Sequence, residues 1–156
     1  KDILLSIQAI DIKGNIKTIP SKDIKFKYRN NDLAEDLIFL SASFKGKKSN
    51  SISINNEIDK LKKEKQKNQP TKIKTGGSTF KNPESQNEKK VWELIKESVP
   101  LDKNFGDACL SQKHCNFFVN NGNATFDDMI KLINFVSKRV FEKTGIKLEK
   151  EIKILK

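Results

Sequence analysis

The sequence is short of nearly everything that builds a metal centre or a stapled fold. Its 156 residues include two cysteines and one histidine, and Cys109 and Cys115 stand six apart, which is neither zinc-finger nor paired-redox spacing. That excludes a disulfide framework, leaves no metal site to expect, and fits a reducing, cytoplasmic setting. No stretch approaches the roughly 20 apolar residues of a membrane span, and the N-terminus lacks the long apolar core of a signal peptide. Seven glycines are scattered, never gathered into a glycine-rich loop that cradles phosphates. The aromatics are ten phenylalanines with one tyrosine and one tryptophan. Periodicity places most of the phenylalanines on buried faces, so the exposed rings of a single-strand nucleic-acid platform are missing. The chain begins with Lys1 and not with methionine, as expected of a fragment.

What is present in excess is lysine. The net charge is +11, which favours polyanions. The excess is spread along the chain without a dense block, so it fits nucleic acid, a phosphorylated substrate, or lysine-rich coding bias alike. Hydrophobic residues make up 35%, enough for a modest core in one ordinary domain or two small ones.

In chain order, Ile3, Leu5, Ile7 and Ala9 alternate with mostly polar residues, and Ile10 and Ile12 shift the phase, which predicts a strand with a bulge. Lys13-Gly14-Asn15 turns the chain into a return strand, Ile16 to Ile19, stopped by Pro20. Ser21 caps a short helical turn. Tyr28 and Arg29 follow, read either as a solvated loop with a packed aromatic or as a bidentate clamp for a carboxylate or phosphate. Residues 37 to 44 predict a third strand. From Ile54 the positions Ile54, Ile58 and Leu61 recur at helical spacing, and residues 57 to 74 carry seven lysines against three acids, the usual wet face of a helix. Ser85 with Glu88 spells a capping box, followed by Val91, Trp92, Ile95 and Val99 as a buried stripe. Residues 105 to 109 look irregular, and Phe117 to Val119 suits a buried strand. Thr125 caps the longest helix, with Phe126, Met129, Ile130, Ile133, Val136, Val140 and Phe141 on one face until Gly145. Leu148, Ile152 and Ile154 predict a closing strand.

The stretch Gly76-Gly77-Ser78-Thr79-Phe80-Lys81-Asn82-Pro83 marks a change of character in the chain. Paired glycines permit a tight turn or close approach to a ligand, and the hydroxyls of Ser78 and Thr79 can exchange protons. Taken alone it reads as a polar turn opening a new domain. His114 is the sole histidine, ordinarily a structural residue in such company.

Four segments in order change that balance. Phe26 to Arg29, Gly77 to Pro83, Leu110 to Ala124 with its Ser111, His114, Asn116 and Phe117, and the ending Leu148 to Ile154 together resemble the UDP-N-acetylenolpyruvoylglucosamine reductases (UDP-N-acetylmuramate dehydrogenases). These are flavoenzymes of peptidoglycan precursor synthesis. The resemblance implies FAD, reduced by NADPH, as hydride source and UDP-N-acetylglucosamine enolpyruvate as substrate. It implies Ser78 as proton donor, Arg29 and Glu151 as stabilisers of the enolate-like intermediate, Asn82 as a substrate contact, and Tyr28, Lys81, His114 and Asn116 as further binding candidates. Only the later part of the family's pattern is covered. The segments that cradle the FAD phosphates are not matched, so the chain is expected to be truncated, to hold FAD weakly or not at all, and to be inactive alone. Asp107 and Cys109 stand where the family has glycine and glutamine, and Lys156 where it has glycine.

The expected architecture is α+β: the second part of a flavin-binding domain over 1–74, a substrate-binding domain over 75–147, and a returning strand over 148–156, in a monomer without membrane attachment. The sheet over residues 3 to 44 is expected to expose a face meant to be covered. The alternative is a non-catalytic basic module that binds RNA or another polyanion.

Overall fold

Alternation of apolar and polar residues produces a strand wherever a neighbour can take its backbone groups, and the first forty-four residues show this three times. The computed structural model describes all residues except Lys72, 84–88 and Lys156, so the expected capping box of Ser85 and Glu88 lies outside the described residues. The chain divides into two compact units, Lys1–Asn55 and Asn56–Lys156.

In the first unit, β1 (Leu4–Ile10) lies between β2 (Ile16–Pro20) and β5 (Ile38–Phe44) in an antiparallel sheet. The bulge read from the phase shift appears as a register break against β5 between Gln8 and Ala9. Asp11 closes the β1–β2 turn by accepting the Lys13 and Asn15 amides, each at 2.9 Å, while Gly14 takes φ +86°. These bonds hold the Asp11 carboxyl below its usual range. Ser21–Asp23 forms the expected helical turn, in 3-10 geometry. The strand pair β3 (Phe26–Lys27) and β4 (Asn30–Asn31) makes a small hairpin with Tyr28 and Arg29 at its tip. Ala9 and Ile24 are buried here, whereas every residue of β5 is exposed, Ile38, Phe39, Leu40 and Phe44 included. Exposure of large apolar residues on this sheet matches the expectation from the sequence.

Helix α1 (Ser51–Asn68) runs across the division and buries none of its residues, so the apolar repeat of Ile54, Ile58 and Leu61 predicted the helix but not a buried face. The second unit is a four-stranded antiparallel sheet in the order β6 (Lys74–Ser78), β9 (Phe117–Asn120), β8 (Ala108–Leu110), β7 (Asn104–Phe105). The last two strands form a hairpin where the sequence looked irregular; two- and three-residue strands are too short to show a period. Helices α2 (Val91–Ser98) and α3 (Phe126–Thr144) pack on each other, and α3 on β7 and β8. The core joins Leu94, Ile95, Leu132, Ile133, Val136 and Val140 to Ala108, Leu110 and Phe118.

Local chemistry fixes α3 as read. The Thr125 hydroxyl accepts the Asp128 amide at 3.2 Å and Asp128 returns the favour to the Thr125 amide at 3.0 Å, a reciprocal cap that also lowers the Asp128 pKa. Gly145 ends the helix at φ +72°, in the left-handed region. The buried face is narrower than expected: Phe126 and Phe141 are exposed, and Leu132 enters the core instead. In α2 the stripe holds at Val91, Ile95 and Val99 but not at Trp92. Val91, Leu94, Ile95 and Ser98 are buried and Trp92 is 36% exposed, correcting its assignment to the core. The predicted closing strand contracts to a single antiparallel bridge, Phe80 with Lys150, flanked by bends at Glu151 and Ile152.

Candidate functional site

Strand β6 ends at Ser78, and how it ends determines what Ser78 can do. Its pairing with β9 runs from Lys74 and Thr75 to Ser78 opposite Phe117, with a bulge between Thr75 and Ser78. Gly77 supplies the bulge at φ +85°, a conformation that a side chain would strain. The result leaves Ser78 half-buried at the strand's end and delivers Thr79 and Phe80 into the interior, 2% and 1% exposed.

Asn116 holds that delivery in place. Its Oδ1 accepts the Phe80 amide at 3.0 Å, its Nδ2 donates to the Phe80 carbonyl at 2.9 Å, and its own carbonyl accepts the Thr79 amide at 2.8 Å. Both polar ends of a buried side chain are thereby spent on the backbone, which makes Asn116 a positioning residue for the strand that carries Ser78. On the other edge, the Glu151 amide donates to the Thr79 carbonyl at 2.9 Å and the Lys81 amide to the Glu149 carbonyl at 2.8 Å. Glu151, half-buried, therefore lies across from Thr79, the residue after Ser78.

The other candidates scatter. Lys81 forms an ion pair and hydrogen bond with Glu149. Asn82 uses Oδ1 to accept the Val91 amide at 3.0 Å, satisfying a donor at the start of α2. Tyr28 and Arg29 belong to the first unit; the guanidinium lies 5.6 Å from the Tyr28 ring centroid, and Arg29 takes φ +53° at the hairpin tip. Asp107 accepts the Asn123 amide at 2.8 Å, so the acid in the glycine position pins the Gly122-Asn123 turn.

His114 leads to a feature the sequence did not reveal. Its ring meets Phe117 edge-on at 4.9 Å, and its Nδ1 is buried with no hydrogen-bond partner among the described residues. Burial pushes its pKa below the ordinary 6.5, so the imidazole is neutral at pH 7. It lines a cavity of about 480 Å³ together with Trp92, Lys67, Lys90, Lys96 and Lys113. Among the described residues, no carboxylate lines it. The walls are tied together: the Lys113 ammonium donates to the Gln66 carbonyl at 2.8 Å, and the Cys115 thiol to the Trp92 carbonyl at 3.0 Å. Burial raises the Cys115 pKa and keeps it a thiol. The lysines come from the end of α1, from α2 and from the loop before β9. Their convergence is tertiary, and the only local hint was the i, i+4 spacing of Trp92 and Lys96.

One pH dependence follows from His114. The unfolded chain binds a proton near pH 6.5, the folded chain only below that. Stability is therefore fully present above pH 6.5 and declines as pH falls toward the lower folded value. Urea midpoints measured at pH 7.5 and 5.5 should show this decline in the native chain and a flatter response in His114→Gln. An equal decline in both would remove His114 as its source.

The family described as UDP-N-acetylenolpyruvoylglucosamine reductase, C-terminal domain, matches residues 69–155. A curated UDP-N-acetylenolpyruvoylglucosamine reductase of Pelagibacter ubique (strain HTCC1062) is 67% identical over 156 residues, all of this chain and 52% of the relative. One of Rickettsia bellii (strain RML369-C) is 48% identical over 153 residues, 98% of this chain and 50% of the relative. The chain spans about half the length of the curated relatives it matches. A crystal structure of UDP-N-acetylenolpyruvylglucosamine reductase from Thermus caldophilus superposes with a TM-score of 0.77 at 27% identity, covering 97% of this chain and 53% of that one.

Proposed function

The chain belongs to the UDP-N-acetylenolpyruvoylglucosamine reductase family through its C-terminal domain, and from that premise we propose that it binds UDP-N-acetylglucosamine enolpyruvate and delivers the proton that completes its reduction to UDP-N-acetylmuramate. The observation that carries this reading is the presentation of Ser78: set at the end of β6, opposite Phe117, by the bulge at the left-handed Gly77, anchored behind by Asn116 on Phe80, and met at Thr79 by the Glu151 backbone. Reduction adds a hydride to one carbon of the enolpyruvyl double bond and a proton to its neighbour. The Ser78 hydroxyl gives that proton, and the enolate-like charge that precedes it calls for fixed donors and acids in a water-poor site. Glu151 is proposed for that role beside Ser78; Arg29 and Tyr28 are proposed on the family resemblance.

The cavity suits the diphosphate of the sugar nucleotide, since four lysines line it and no acid does so among the described residues. His114 is proposed as a neutral hydrogen-bonding contact within it. Asn82 and Lys81 already serve Val91 and Glu149, which makes them supports for the site's frame as much as substrate contacts.

The described residues do not fit FAD. Their left-handed glycines, Gly14, Gly77, Gly106 and Gly145, stand singly, and none lies in a loop that cradles phosphates. In the family FAD, reduced by NADPH, supplies the hydride.

A chimaera joining the upstream half of the Pelagibacter relative to Lys1 tests the reading. It should show flavin absorbance and oxidise NADPH only when the enolpyruvyl sugar nucleotide is present. Salt-sensitive RNA binding with no affinity for UDP-sugars would instead support a polyanion-binding module.

A further inference from the structure

The sequence places Trp92 with the buried face of α2, yet the structure turns it into the basic cavity. We propose that Trp92 is the nucleobase-stacking wall of that cavity and the residue by which the chain tells a nucleotide from a bare diphosphate. This rests on the reading of the cavity as the diphosphate site.

Three observations support it. The cavity, at about 480 Å³, falls in the range of about 300 to 1,000 Å³ typical of small-molecule sites, larger than a diphosphate needs. Trp92 keeps 36% of its surface exposed and lines the cavity, and its backbone is fixed because its carbonyl accepts the Cys115 thiol. Lys96, one helical turn on, lines the same cavity, so an aromatic and a cationic residue border it from one helix. An aromatic wall beside converging cations takes a ligand with a flat ring and an anionic tail, because every base has a π-face that stacks on indole. Asn68 and Gln112 also line the cavity, and their amides carry the donors and acceptors that a base edge requires. Phenylalanine in place of Trp92 retains a stacking face; alanine does not.

The test uses the 156-residue chain with UDP and inorganic pyrophosphate at constant ionic strength. Trp92 is the only tryptophan, so native fluorescence reports the wall directly: UDP should quench it saturably and pyrophosphate should not. Calorimetric titration then carries the variants, since those at Trp92 lack the fluorophore. Trp92→Ala should weaken UDP about tenfold and leave pyrophosphate unchanged. Trp92→Phe should recover most of the loss, and Lys96→Gln should weaken both ligands alike. Circular dichroism melts matching the native chain establish that the variants fold. Undiminished UDP affinity in Trp92→Ala, with pyrophosphate still bound, overturns the role of Trp92 and leaves the cavity as an anion site. Failure of both ligands to bind the native chain overturns the diphosphate reading and the stacking role together.

Discussion

Asn116→Ala is expected to destabilise the second unit by about 2 to 6 kcal/mol, from two backbone groups left unpaired at about 1 to 3 kcal/mol each. The side chain is 3% exposed and spans the Phe80 amide and carbonyl, and Phe80 itself is 1% exposed, so water has no route to replace the lost partners. Against total stabilities of about 5 to 15 kcal/mol for domains of this size, the loss is large. Urea unfolding followed by Trp92 fluorescence reads it in the correct unit, because the only tryptophan resides there. Asn116→Asp should be nearly as damaging: it keeps an acceptor for the Phe80 amide but sets a second acceptor, and a charge, against the Phe80 carbonyl. A midpoint for Asn116→Ala close to that of the native chain would mean that Phe80 finds other partners, and the anchoring role would be lost.

Ser78→Ala is expected to lower turnover in the chimaeric enzyme by about 10² to 10⁴, the usual contribution of a positioned acid or base. Nothing in the fold depends on the hydroxyl in the way it depends on Asn116, since Ser78 is half-buried and its strand is held through backbone bonds and its neighbours. Affinity for UDP, read by fluorescence, should therefore remain within about twofold to threefold, a change under 1 kcal/mol. Unchanged turnover would remove Ser78 from the reaction. Equal losses in affinity and turnover would reassign it to binding.

How much of this was legible depended on whether the information was local. The cap at Thr125, the stop at Gly145, the turn at Gly14 and the breaker at Pro20 are encoded within a few residues, and the structure places each where the sequence did. Faces were read less well. In an eight-residue helix, Val91, Ile95 and Val99 were read as buried and are, but whether Trp92 or Leu94 joins them fits a helical period almost equally, and only the packing of α3 decides. The basic cavity was invisible because Lys67, Lys90, Lys96 and Lys113 each look like solvated surface in their own neighbourhood; the bonds from Lys113 to Gln66 and from Cys115 to Trp92 bring those neighbourhoods together. The roles proposed for Ser78 and Arg29 came from resemblance, since a serine after two glycines has no chemistry of its own until its surroundings are known.

The single bridge that replaces the expected closing strand has a consequence for synthesis. Thr79 gains its second backbone partner from Glu151, and the Lys81 amide donates to Glu149, both contacts between residues far apart in the chain. Closing so long a loop is slow compared with winding a helix. On the ribosome, α2 and α3 can form and dock while the segment after Ser78 still has one unsatisfied edge, and that edge closes only once residue 151 has left the exit tunnel. A product halted before residue 149 is expected to show native helicity with a frayed Ser78 segment, and proteolysis between residues 76 and 83 would distinguish it from the finished chain.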